Sequence, residues 1–523
     1  MACRVALAVM FILLVWRLDV FIHLGIEALR WPYELDYAEG IVWQQARLMF
    51  TPEAYGPIDG FPTIVFHYTP LYHVLSRAVA AVTGADLLYT GRAISLCSTL
   101  AIAILIGLIV FRASPDGMER RPRLVMAAVG SLCVFSIYPI LLSGEVMRVD
   151  MLAILLSIAG FWLGTGALER PRLIHPAAVL FVAALFTKQT MIAAPCALFG
   201  VLLWCRPRTA FAGIVTTALL GLAALIAVTA ATGGGFLRHI FLYNINRISW
   251  RQLGHIVDIV AIQAPFFGVA IIMAQRRWNI LHAHRKTQLG GAAPMTPADL
   301  TWIAILCYFI TTSLMLVTLI KSGAFLNYFV EWLLIVVVLV GSAFTDAARV
   351  AIGEVPVPTV TFRLVLSAVI IPCAVAFQAM ALDAPDAAKA GTIQRRHDLD
   401  VLSTRIRAAP KPVIADEMVL LQRSGKRVML EPMIFTELAS VGSWDERPFL
   451  RHILDRDFSM IVTDRPHDAS RYTPAMWRAI DRAYPVTEQQ AGFTLHLPAA
   501  SETPIAPSPI PPADRPISAP RAR

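Results

Sequence analysis

The stretch Tyr33-Glu34-Leu35-Asp36-Tyr37-Ala38-Glu39-Gly40 carries three carboxylates within six residues, directly after the first hydrophobic span of the chain. A charge left in hydrocarbon is expensive, so a carboxylate cluster at a membrane boundary must face water, a cation or a substrate. The hydrophobic run before Tyr33 is apolar enough to enter a membrane, so this stretch marks the end of a predicted membrane span. We expect the cluster to face a cavity on the outer side of that membrane.

The composition is that of a polytopic membrane protein. Of 523 residues, 57% are hydrophobic and only 15% are charged, whereas soluble domains carry about a quarter of charged residues. The N-terminal run from Val5 to Val15 lacks a small-residue cleavage site and is followed by Trp16 and Arg17, which predicts a retained anchor helix. The net charge of +9 does not indicate nucleic-acid binding, because the basic residues lie mostly in short loops between spans.

Arginine-rich loops set the predicted orientation, because such loops stay in the cytoplasm. The four candidate loops are Arg112 to Arg123, Arg170-Pro171-Arg172, Arg206-Pro207-Arg208 and Gln275 to Lys286. With all four inside, the N-terminus is inside, the C-terminus is outside, and hydropathy predicts about eleven α-helical spans. The spans are expected at 4–22, 93–111, 124–142, 151–168, 176–187, 190–205, 209–231, 257–274, 301–319, 330–345 and 363–381.

The predicted outer segments hold nearly all the unusual polar residues of the membrane part. Arginines alone fixed the orientation, so this gathering on one face is an independent observation that indicates a site. The outer polar residues are Glu34, Asp36, Glu39, His67, Tyr68, Arg148, Asp150, Lys188, Gln189, Asn244, Asn246, Lys321, Asn327, Tyr328 and Glu331. In the longest outer loop, 23–88, the apolar run that ends at Val82 is predicted to be an interfacial helix.

The composition changes near residue 386, where the transmembrane domain (1–385) is predicted to end. Strand-like and helix-like runs alternate from 386 to 498, which predicts a small extramembrane α/β domain. The strand-like runs are Pro412 to Ala415, Arg427 to Leu430, Phe458 to Thr463 and Phe493 to Leu497, and the helix-like runs are Pro448 to Asp455 and Pro474 to Ala483. The tail, 499–523, is rich in Pro, Ala and Ser and is predicted to be disordered.

Two clusters contain carboxylates, and each has a functional and a structural interpretation. Asp36 and Glu39 are three residues apart, so on a helix both side chains point the same way. They could supply a general base and a metal or hydroxyl ligand, or they could belong to a solvated acidic loop. Arg148 and Asp150 could line the same cavity, or they could form an ion pair that caps the next helix.

Two further clusters place lysines at the same boundary. Lys188 could extend to the lipid headgroups or act as a point charge that holds a phosphate. The last cluster is the run from Lys321 to Trp332. Glu331, near its end, enters the next hydrophobic span, which makes a bystander role costly. That run is interpreted as a polar wall that recognises a sugar or a phosphate. The alternative is an ion pair between Glu331 and Lys321 or Arg148.

In this order and on this face, the clusters resemble the motifs of the GT-C superfamily of membrane glycosyltransferases. The chain is most similar to the bacterial branch that includes the aminoarabinose and protein O-mannosyl transferases. The motifs are Glu34 to Gly40, Tyr68-Thr69-Pro70-Leu71-Tyr72, Arg148-Val149-Asp150, Lys188-Gln189-Thr190 and Lys321 to Glu331, and the resemblance extends to Pro498. The chain departs from the family pattern in two places. The acidic pair is split between Asp36 and Glu39, and Tyr68 and Thr69 stand where some relatives have a lysine.

The resemblance implies that a sugar moves from a polyprenyl-phosphate donor to an acceptor on the outer face of the bacterial inner membrane. It assigns Asp36 as the catalytic base, helped by Glu39, with Glu34 as the alternative base. Phosphate binding is expected from Arg148, Lys188 and Lys321. The other substrate-binding candidates are Asp150, Asn327, Tyr328, Glu331, His67, Tyr68, Tyr72 and Asn244. A divalent cation, Mg²⁺ or Mn²⁺, is left open as a cofactor, with Asp36 and Asp150 as its candidate ligands.

The expected partners are the lipid-linked donor, membrane lipid and an outer acceptor that is a cell-envelope glycan, lipid or protein. Nucleic acid is not expected. Two other functions are compatible with the sequence. A lipid-linked sugar transporter would need polar residues along a path through the bilayer, whereas here they lie at one face. A non-catalytic relative would use its C-terminal domain to bind an envelope partner.

Overall fold

The computed structural model of the protein describes residues 2–244, 246–288, 295–352, 362–381 and 393–499. Up to residue 381, the elements described are helices. They are α1 (Ala2–Arg30), α2 (Tyr37–Leu48), α3 (Leu71–Thr83), α4 (Leu87–Arg112), α5 (Arg120–Cys133), α6 (Tyr138–Ser143), α7 (Val149–Gly166), α8 (Ile174–Thr187), α9 (Ala193–Cys205), α10 (Pro207–Ala231), α11 (Gly235–Leu237), α12 (Gly254–Ile262), α13 (Ala264–Gln288), α14 (Pro297–Met315), α15 (Val330–Ser342), α16 (Thr345–Ile352) and α17 (Phe362–Ala381).

The described helices include five that are long and apolar enough to cross a membrane: α1, α4, α7, α10 and Pro297–Ile320, which contains α14. A sixth span would be bent by 80° where Trp250–Ile262 meets Ala264–Asn279. Pro265 explains this bend, because proline has no N–H to donate and clashes with the preceding turn. Shorter apolar helices add to these: Pro171–Thr187, Ala193–Cys205, Leu326–Ser342 and Ala368–Ala381. Helix length alone therefore does not establish the predicted count of about eleven spans.

The predicted span 124–142 is interrupted. α5 ends at Cys133, a 3-10 turn (Val134–Ser136) follows, and α6 begins at Tyr138. Ile137 has extended backbone angles (φ −90°, ψ 118°), and Pro139 stands in the first turn of α6, where its missing N–H removes no helical hydrogen bond. The proline therefore begins a new helix, and the prediction of one continuous span was wrong here.

Arginine-rich loops and the polar outer segments lie at opposite ends of the helices. Arg148 directly precedes α7, whereas Arg112 lies at the other end of α7 and donates a hydrogen bond to Thr165 Oγ1 at 2.9 Å. α7 has 18 residues. At 1.5 Å per residue its length is roughly 27 Å, close to the thickness of the hydrocarbon core of a bilayer. This separation is the one that the orientation argument required.

Residues 393–499 form an α/β unit, called here the C-terminal unit, around a four-stranded sheet. Its elements are α18 (Ile393–Ala408), β1 (Val413–Ala415), α19 (Met418–Arg423), α20 (Pro432–Ser440), α21 (Arg447–Leu454), β2 (Met460–Thr463), α22 (Pro474–Ala483), β3 (Val486–Gln490) and β4 (Phe493–Leu497). The strand order is β1-β2-β4-β3, with β1 and β2 parallel and the other neighbours antiparallel. The predicted boundary near 386 and the predicted tail beyond Ala499 lie outside the described residues.

One predicted strand is wrong and one strand was missed. Arg427 to Leu430 joins no strand of the sheet; instead, Met429 O accepts a hydrogen bond from Thr63 N of the first outer loop at 2.9 Å. β3 was missed because its sequence is mostly polar and it forms the exposed edge of the sheet. The C-terminal unit also contacts the membrane part through Arg423, which lies 2.7 Å from Asp86. The unit therefore packs on the first outer loop.

Candidate active site

Four charged side chains from three outer segments form one chain of ion pairs. Arg148 Nη1 lies 2.9 Å from Asp36 Oδ1, and Arg148 Nε lies 3.1 Å from Asp150 Oδ2. Lys188 Nζ lies 2.6 Å from Asp150 Oδ1. The side chains of Arg148, Asp150 and Lys188 are nearly fully buried, whereas that of Asp36 is 25% exposed. The structure thus joins predicted carboxylates and cations in one cluster that opens at Asp36.

Asp36 is the N-cap of α2 and keeps one carboxylate oxygen open. Its Oδ1 accepts hydrogen bonds from Ala38 N and from Arg148 Nη1, both at 2.9 Å. Its Oδ2 accepts none from the residues that the structure describes. Aspartate is favoured at an N-cap because its side chain satisfies a free N–H of the first helical turn. The cap therefore fixes the side chain while Oδ2 stays available to accept a proton.

Asp150 is held by three donors at the beginning of α7, where a helix N-terminus favours negative charge. Besides Arg148 and Lys188, Asn327 Nδ2 donates to Asp150 Oδ1 at 2.8 Å. Lys188 Nζ also lies 4.7 Å from the ring centre of Tyr328. Asn327 and Tyr328, which lie just before α15, therefore belong to the cluster. With its oxygens occupied, Asp150 is suited to orient its neighbours rather than to accept a proton.

Lys321 adds a cation that pairs with no carboxylate in the described parts of the chain. Its Nζ donates to Asn244 Oδ1 at 2.7 Å, and Asn244 Nδ2 lies 3.4 Å from His67 O. Burial and the neighbouring Lys188 lower the pKa of Lys321 to about 8. Burial and the Lys321 charge lower the pKa of His67 to about 3, so the imidazole is neutral at physiological pH. A cation without a counter-charge beside Lys188 is suited to bind an anion.

His67 and Tyr68 are positioned beside Asn244 by hydrogen bonds. Their ring centres are 4.0 Å apart. Gln189 Nε2 donates to His67 O at 3.0 Å, and Tyr55 OH donates to Tyr68 O at 2.8 Å. Lys188 and His67 were predicted from separate motifs, and Gln189 connects their two segments directly.

Glu39 lies only three residues after Asp36 but has different partners. It is fully buried, and its carboxylate pairs with Nε and Nη2 of Arg92 at 2.8 and 2.6 Å. It also accepts hydrogen bonds from Leu35 N and Met147 N. The expectation that both carboxylates point the same way is wrong, because Asp36 precedes the helix as its cap and only Glu39 lies within it. Arg92 was missed because a lone arginine in an apolar run matches no motif.

Glu331 and Tyr72 contact helices rather than the ion-pair chain. Glu331 Oε1 accepts hydrogen bonds from Tyr308 OH at 2.5 Å and Ser157 Oγ at 3.0 Å. It therefore pairs with neither of the cations that the structural interpretation offered. Tyr72 is fully buried and donates to Gly91 O at 2.8 Å, which ties α3 to α4.

Glu34 lines a cavity of about 230 Å³ between the first outer loop and the C-terminal unit. Asp36 lines this cavity as well, so the ion-pair chain reaches its wall. The C-terminal unit contributes Arg395, Asp416, Glu417, Asp464, Arg471, Gly492 and Phe493. Sequence reasoning missed these charged residues, because no spacing connects them with the first outer loop and no motif marks them.

The candidate ligands for a divalent cation are already bridged by cations of the chain. Arg148 contacts both Asp36 and Asp150, and Lys188 contacts the other oxygen of Asp150. In the described residues, no group of three or more His, Cys, Asp or Glu side chains is placed to hold a metal ion. The donor set in this arrangement therefore does not fit Mg²⁺ or Mn²⁺, which prefer several free oxygen ligands.

Comparison with known proteins identifies the architecture. No family model matches the chain, and no curated protein matches it. Among solved structures, ArnT from Cupriavidus metallidurans bound to undecaprenyl phosphate is similar over 93% of this chain and 98% of that chain, with 14% identity and a TM-score of 0.56. The chain has the GT-C fold. The apo state of the same ArnT is similar over 92% of this chain and 97% of that chain, with 12% identity and a TM-score of 0.52.

A second GT-C protein has the same architecture. The apo oligosaccharyltransferase from Archaeoglobus fulgidus is similar over 86% of this chain and 69% of that chain, with 9% identity and a TM-score of 0.50. The predicted GT-C architecture, a polytopic helical membrane part followed by a small C-terminal sheet, is therefore confirmed. At this level of identity the comparison concerns the fold. The chemistry must be argued from the residues of this chain.

Proposed function

We propose that the protein is a glycosyltransferase of the bacterial cytoplasmic membrane. It would move a sugar from a polyprenyl-phosphate donor to a hydroxyl group of a cell-envelope glycan, lipid or protein on the outer face. The observation that carries the proposal is the ion-pair chain of Asp36, Arg148, Asp150 and Lys188, beside the uncompensated Lys321. The similar ArnT structure is bound to undecaprenyl phosphate, which supports a lipid phosphate as the carrier.

In the proposed reaction, Asp36 Oδ2 accepts the proton of the acceptor hydroxyl while the hydroxyl oxygen bonds to the anomeric carbon of the sugar. The bond between that carbon and the phosphate oxygen breaks, and its electron pair leaves with the polyprenyl phosphate. Lys321 and Lys188 stabilise the charge that develops on the phosphate, because charge-assisted hydrogen bonds strengthen as the oxygen becomes more negative. No step of this reaction uses a metal ion.

Arg148, Asp150 and Glu39 act by positioning in this proposal. Arg148 was expected to hold the phosphate, but its two carboxylate partners favour a role in orienting Asp36. Asp150 fixes Arg148 and Lys188 relative to each other. Glu39 holds the backbone at Leu35 beside Asp36, through the hydrogen bond from Leu35 N at 2.8 Å.

Apolar side chains beside Lys321 provide a surface for the hydrocarbon tail of the donor. Ile248 forms an antiparallel bridge with Lys321. Ile248, Trp250 and Phe325 are 66%, 70% and 53% exposed. In a membrane these side chains face lipid, and the tryptophan suits the level of the headgroups. A tail that lies along this surface can bring its phosphate to Lys321 without leaving the bilayer.

Transfer by the purified protein tests the proposal. The reconstituted protein is incubated with polyprenyl-phosphate sugars labelled in the sugar and with envelope extract, and the label that leaves the lipid fraction is measured. We expect transfer from at least one donor and its loss in Asp36→Asn. Asparagine is also a good N-cap, so this variant should fold. Transfer that survives Asp36→Asn, or folded protein that transfers no sugar from any donor of the panel, would contradict the proposal.

Glu53→Gln is the matched control. Glu53 is another carboxylate of the first outer loop, but it is exposed and pairs with Arg427 at 2.9 Å. Because exposed ion pairs contribute little to stability, this variant should fold and transfer sugar as the unchanged protein does.

A further inference from the structure

The acidic stretch that contains Asp36 contacts both the membrane part and the C-terminal unit. On the membrane part, Arg148 pairs with Asp36 at 2.9 Å. On the C-terminal unit, Asp400 Oδ1 accepts a hydrogen bond from Tyr33 OH at 2.6 Å. The C-terminal unit is therefore placed to influence the position of the proposed base.

Tyr37, the residue directly after Asp36, is held by two side chains of the C-terminal unit. Its hydroxyl donates a hydrogen bond to Glu431 Oε1, and the guanidinium carbon of Arg471 lies 3.5 Å from the centre of its ring. Burial and the charge of Glu431 raise the pKa of Tyr37, so the hydroxyl keeps the proton that it donates. These two contacts fix the ring at its face and at its hydroxyl end.

Glu431 is itself fixed by the fold of the C-terminal unit. It is only 2% exposed and is the N-cap of α20, where its Oε2 accepts a hydrogen bond from Ile434 N at 2.6 Å. An N-cap side chain is held in place by the free N–H groups of the first helical turn. One carboxylate thus connects the beginning of α20 with Tyr37 at the beginning of α2.

The beginning of α2 is also where the proposed base is placed. Tyr37 is the first residue of this helix, and Asp36 is its cap. Both hydrogen bonds described for the Asp36 carboxylate are on Oδ1, so the direction of Oδ2 follows from the backbone that carries the side chain. Helix ends tend to fray, because their first N–H groups have no partner inside the helix. A contact that holds Tyr37 opposes this fraying next to the base.

We propose that Tyr37 and Glu431 are positioning residues of Asp36, through which the C-terminal unit completes the active site. The inference rests on the proposed glycosyl transfer with Asp36 as its base. By holding the first residue of α2, the pair keeps Asp36 Oδ2 directed toward the acceptor hydroxyl. The hydroxyl of Tyr37 transfers no proton in the reaction, because its hydrogen bond to Glu431 occupies it.

Tyr33 provides a matched control within the same stretch. Its hydroxyl also donates to a carboxylate of the C-terminal unit, Asp400. Its backbone, however, is held separately, because Arg92 Nη2 donates to Tyr33 O at 2.6 Å. Tyr33→Phe and Tyr37→Phe each delete one hydroxyl and one hydrogen bond between a tyrosine and a carboxylate. A purely structural role of these contacts would affect the two variants alike.

Steady-state sugar transfer by the full-length protein in detergent compares the two variants. We expect kcat to fall roughly tenfold or more in Tyr37→Phe but less than about twofold in Tyr33→Phe, because misplacing a catalytic group by about 1 Å can cost about 10²-fold. The half-saturating amount of envelope extract and the affinity for undecaprenyl phosphate should stay unchanged. Adding Tyr37→Phe to Glu431→Ala should lower kcat no further, because both changes remove the same hydrogen bond.

Hydrogen exchange measures the positioning without donor, acceptor or turnover. Exchange followed by mass spectrometry reports the amides of the first turn of α2. They should exchange faster in Tyr37→Phe than in Tyr33→Phe, whereas the amides of the C-terminal sheet should exchange alike in both. Thermal unfolding checks that both variants are folded, and Glu431→Ala takes the place of Tyr37→Phe if that variant is not.

Equal kcat in the two tyrosine variants, or equal exchange at the beginning of α2, would overturn the positioning role. A larger half-saturating amount of extract at unchanged kcat would also overturn it, since Tyr37 would then bind the acceptor directly. Normal transfer by Tyr37→Phe would leave the transferase proposal standing. If the unchanged protein transfers no sugar, the transferase proposal fails instead, and the exchange measurement still decides whether Tyr37 holds the beginning of α2.

Discussion

Glu39 and Asp36 belong to the same acidic stretch, but their surroundings are opposite. Glu39 is fully buried, and Arg92, also fully buried, neutralises it at 2.6 Å. Asp36 is 25% exposed and pairs through one oxygen only, with an arginine that continues to Asp150. Two carboxylates of one motif at a membrane boundary can therefore have different roles: Glu39 stabilises the loop, and Asp36 is available for catalysis. What separates the two roles is whether the partners of the carboxylate occupy both of its oxygens.

The largest effect on stability is expected at the enclosed carboxylate. Glu39→Gln leaves the charge of Arg92 buried and uncompensated, which should lower the free energy of unfolding by about 3–5 kcal/mol. Thermal unfolding of the purified protein in detergent measures this. Glu27→Gln is the control, because Glu27 forms an exposed pair with Arg30 at 3.7 Å. An unfolding temperature of Glu39→Gln equal to that of the control would remove the contrast between Glu39 and Asp36.

The second-largest effect is expected on donor binding at Lys321, beside the ion-pair chain. Lys321→Met should weaken the affinity for undecaprenyl phosphate roughly tenfold to a hundredfold, because a hydrogen bond to a charged group contributes about 1.5–3 kcal/mol. The unfolding temperature should change little. Lys411→Met is the control, since Lys411 is an exposed lysine of the C-terminal unit that donates to Arg456 O. Equal affinities of the two variants would place the phosphate elsewhere.

A smaller effect is expected from pH. Burial and Lys188 lower the pKa of Lys321 to about 8, so the fraction of charged Lys321 falls as pH rises through 8. Affinity for the lipid phosphate should therefore decrease between pH 7 and pH 9. Lys321→Arg should remove the decrease, because arginine stays charged over this range. A pH profile that is the same in both proteins would show that Lys321 does not carry the dependence.

The smallest effect is expected where the C-terminal unit contacts Arg247 and Ser322, the residue that follows Lys321. Glu437 accepts hydrogen bonds from Ser322 Oγ at 2.7 Å and pairs with Arg247 at 3.1 Å. The Arg247 side chain is 50% exposed, so Glu437→Gln should cost about 1 kcal/mol or less. The rate of transfer should fall less than threefold. A loss of transfer as large as that of Asp36→Asn would mean that this contact assembles the site.

The helical membrane part could be predicted because hydropathy and arginine-rich loops are local signals. The interruption at Pro139 and the bend at Pro265 could not be read as clearly, since the apolar runs continue through both prolines. β3 was missed for a related reason: a polar edge strand has no apolar alternation. The run from Arg427 to Leu430 has the sequence of a strand, but it contacts the first outer loop and joins no strand of the sheet. The sequence does not show which of the two partners it takes.

For the site, the sequence predicted which residues are unusual but not how they are paired. Asp36, Arg148, Asp150 and Lys188 were expected at one face, and the structure brings them within direct contact. Their partners lie in segments far apart in the chain, so spacing could not pair them. The same reason hid Arg92, which separates Glu39 from the open cluster. It also hid the carboxylates of the C-terminal unit, which meet Asp36 only through tertiary packing.

The most direct test of the account is the rate of sugar transfer by Asp36→Asn at saturating donor and acceptor. General-base catalysis contributes roughly 10²- to 10⁴-fold, so we expect the rate to fall by that factor. Donor affinity and the unfolding temperature should match those of the unchanged protein, because asparagine preserves the helix cap. A rate within a few-fold of the unchanged protein, with the variant folded, would contradict the assignment of Asp36 as the base.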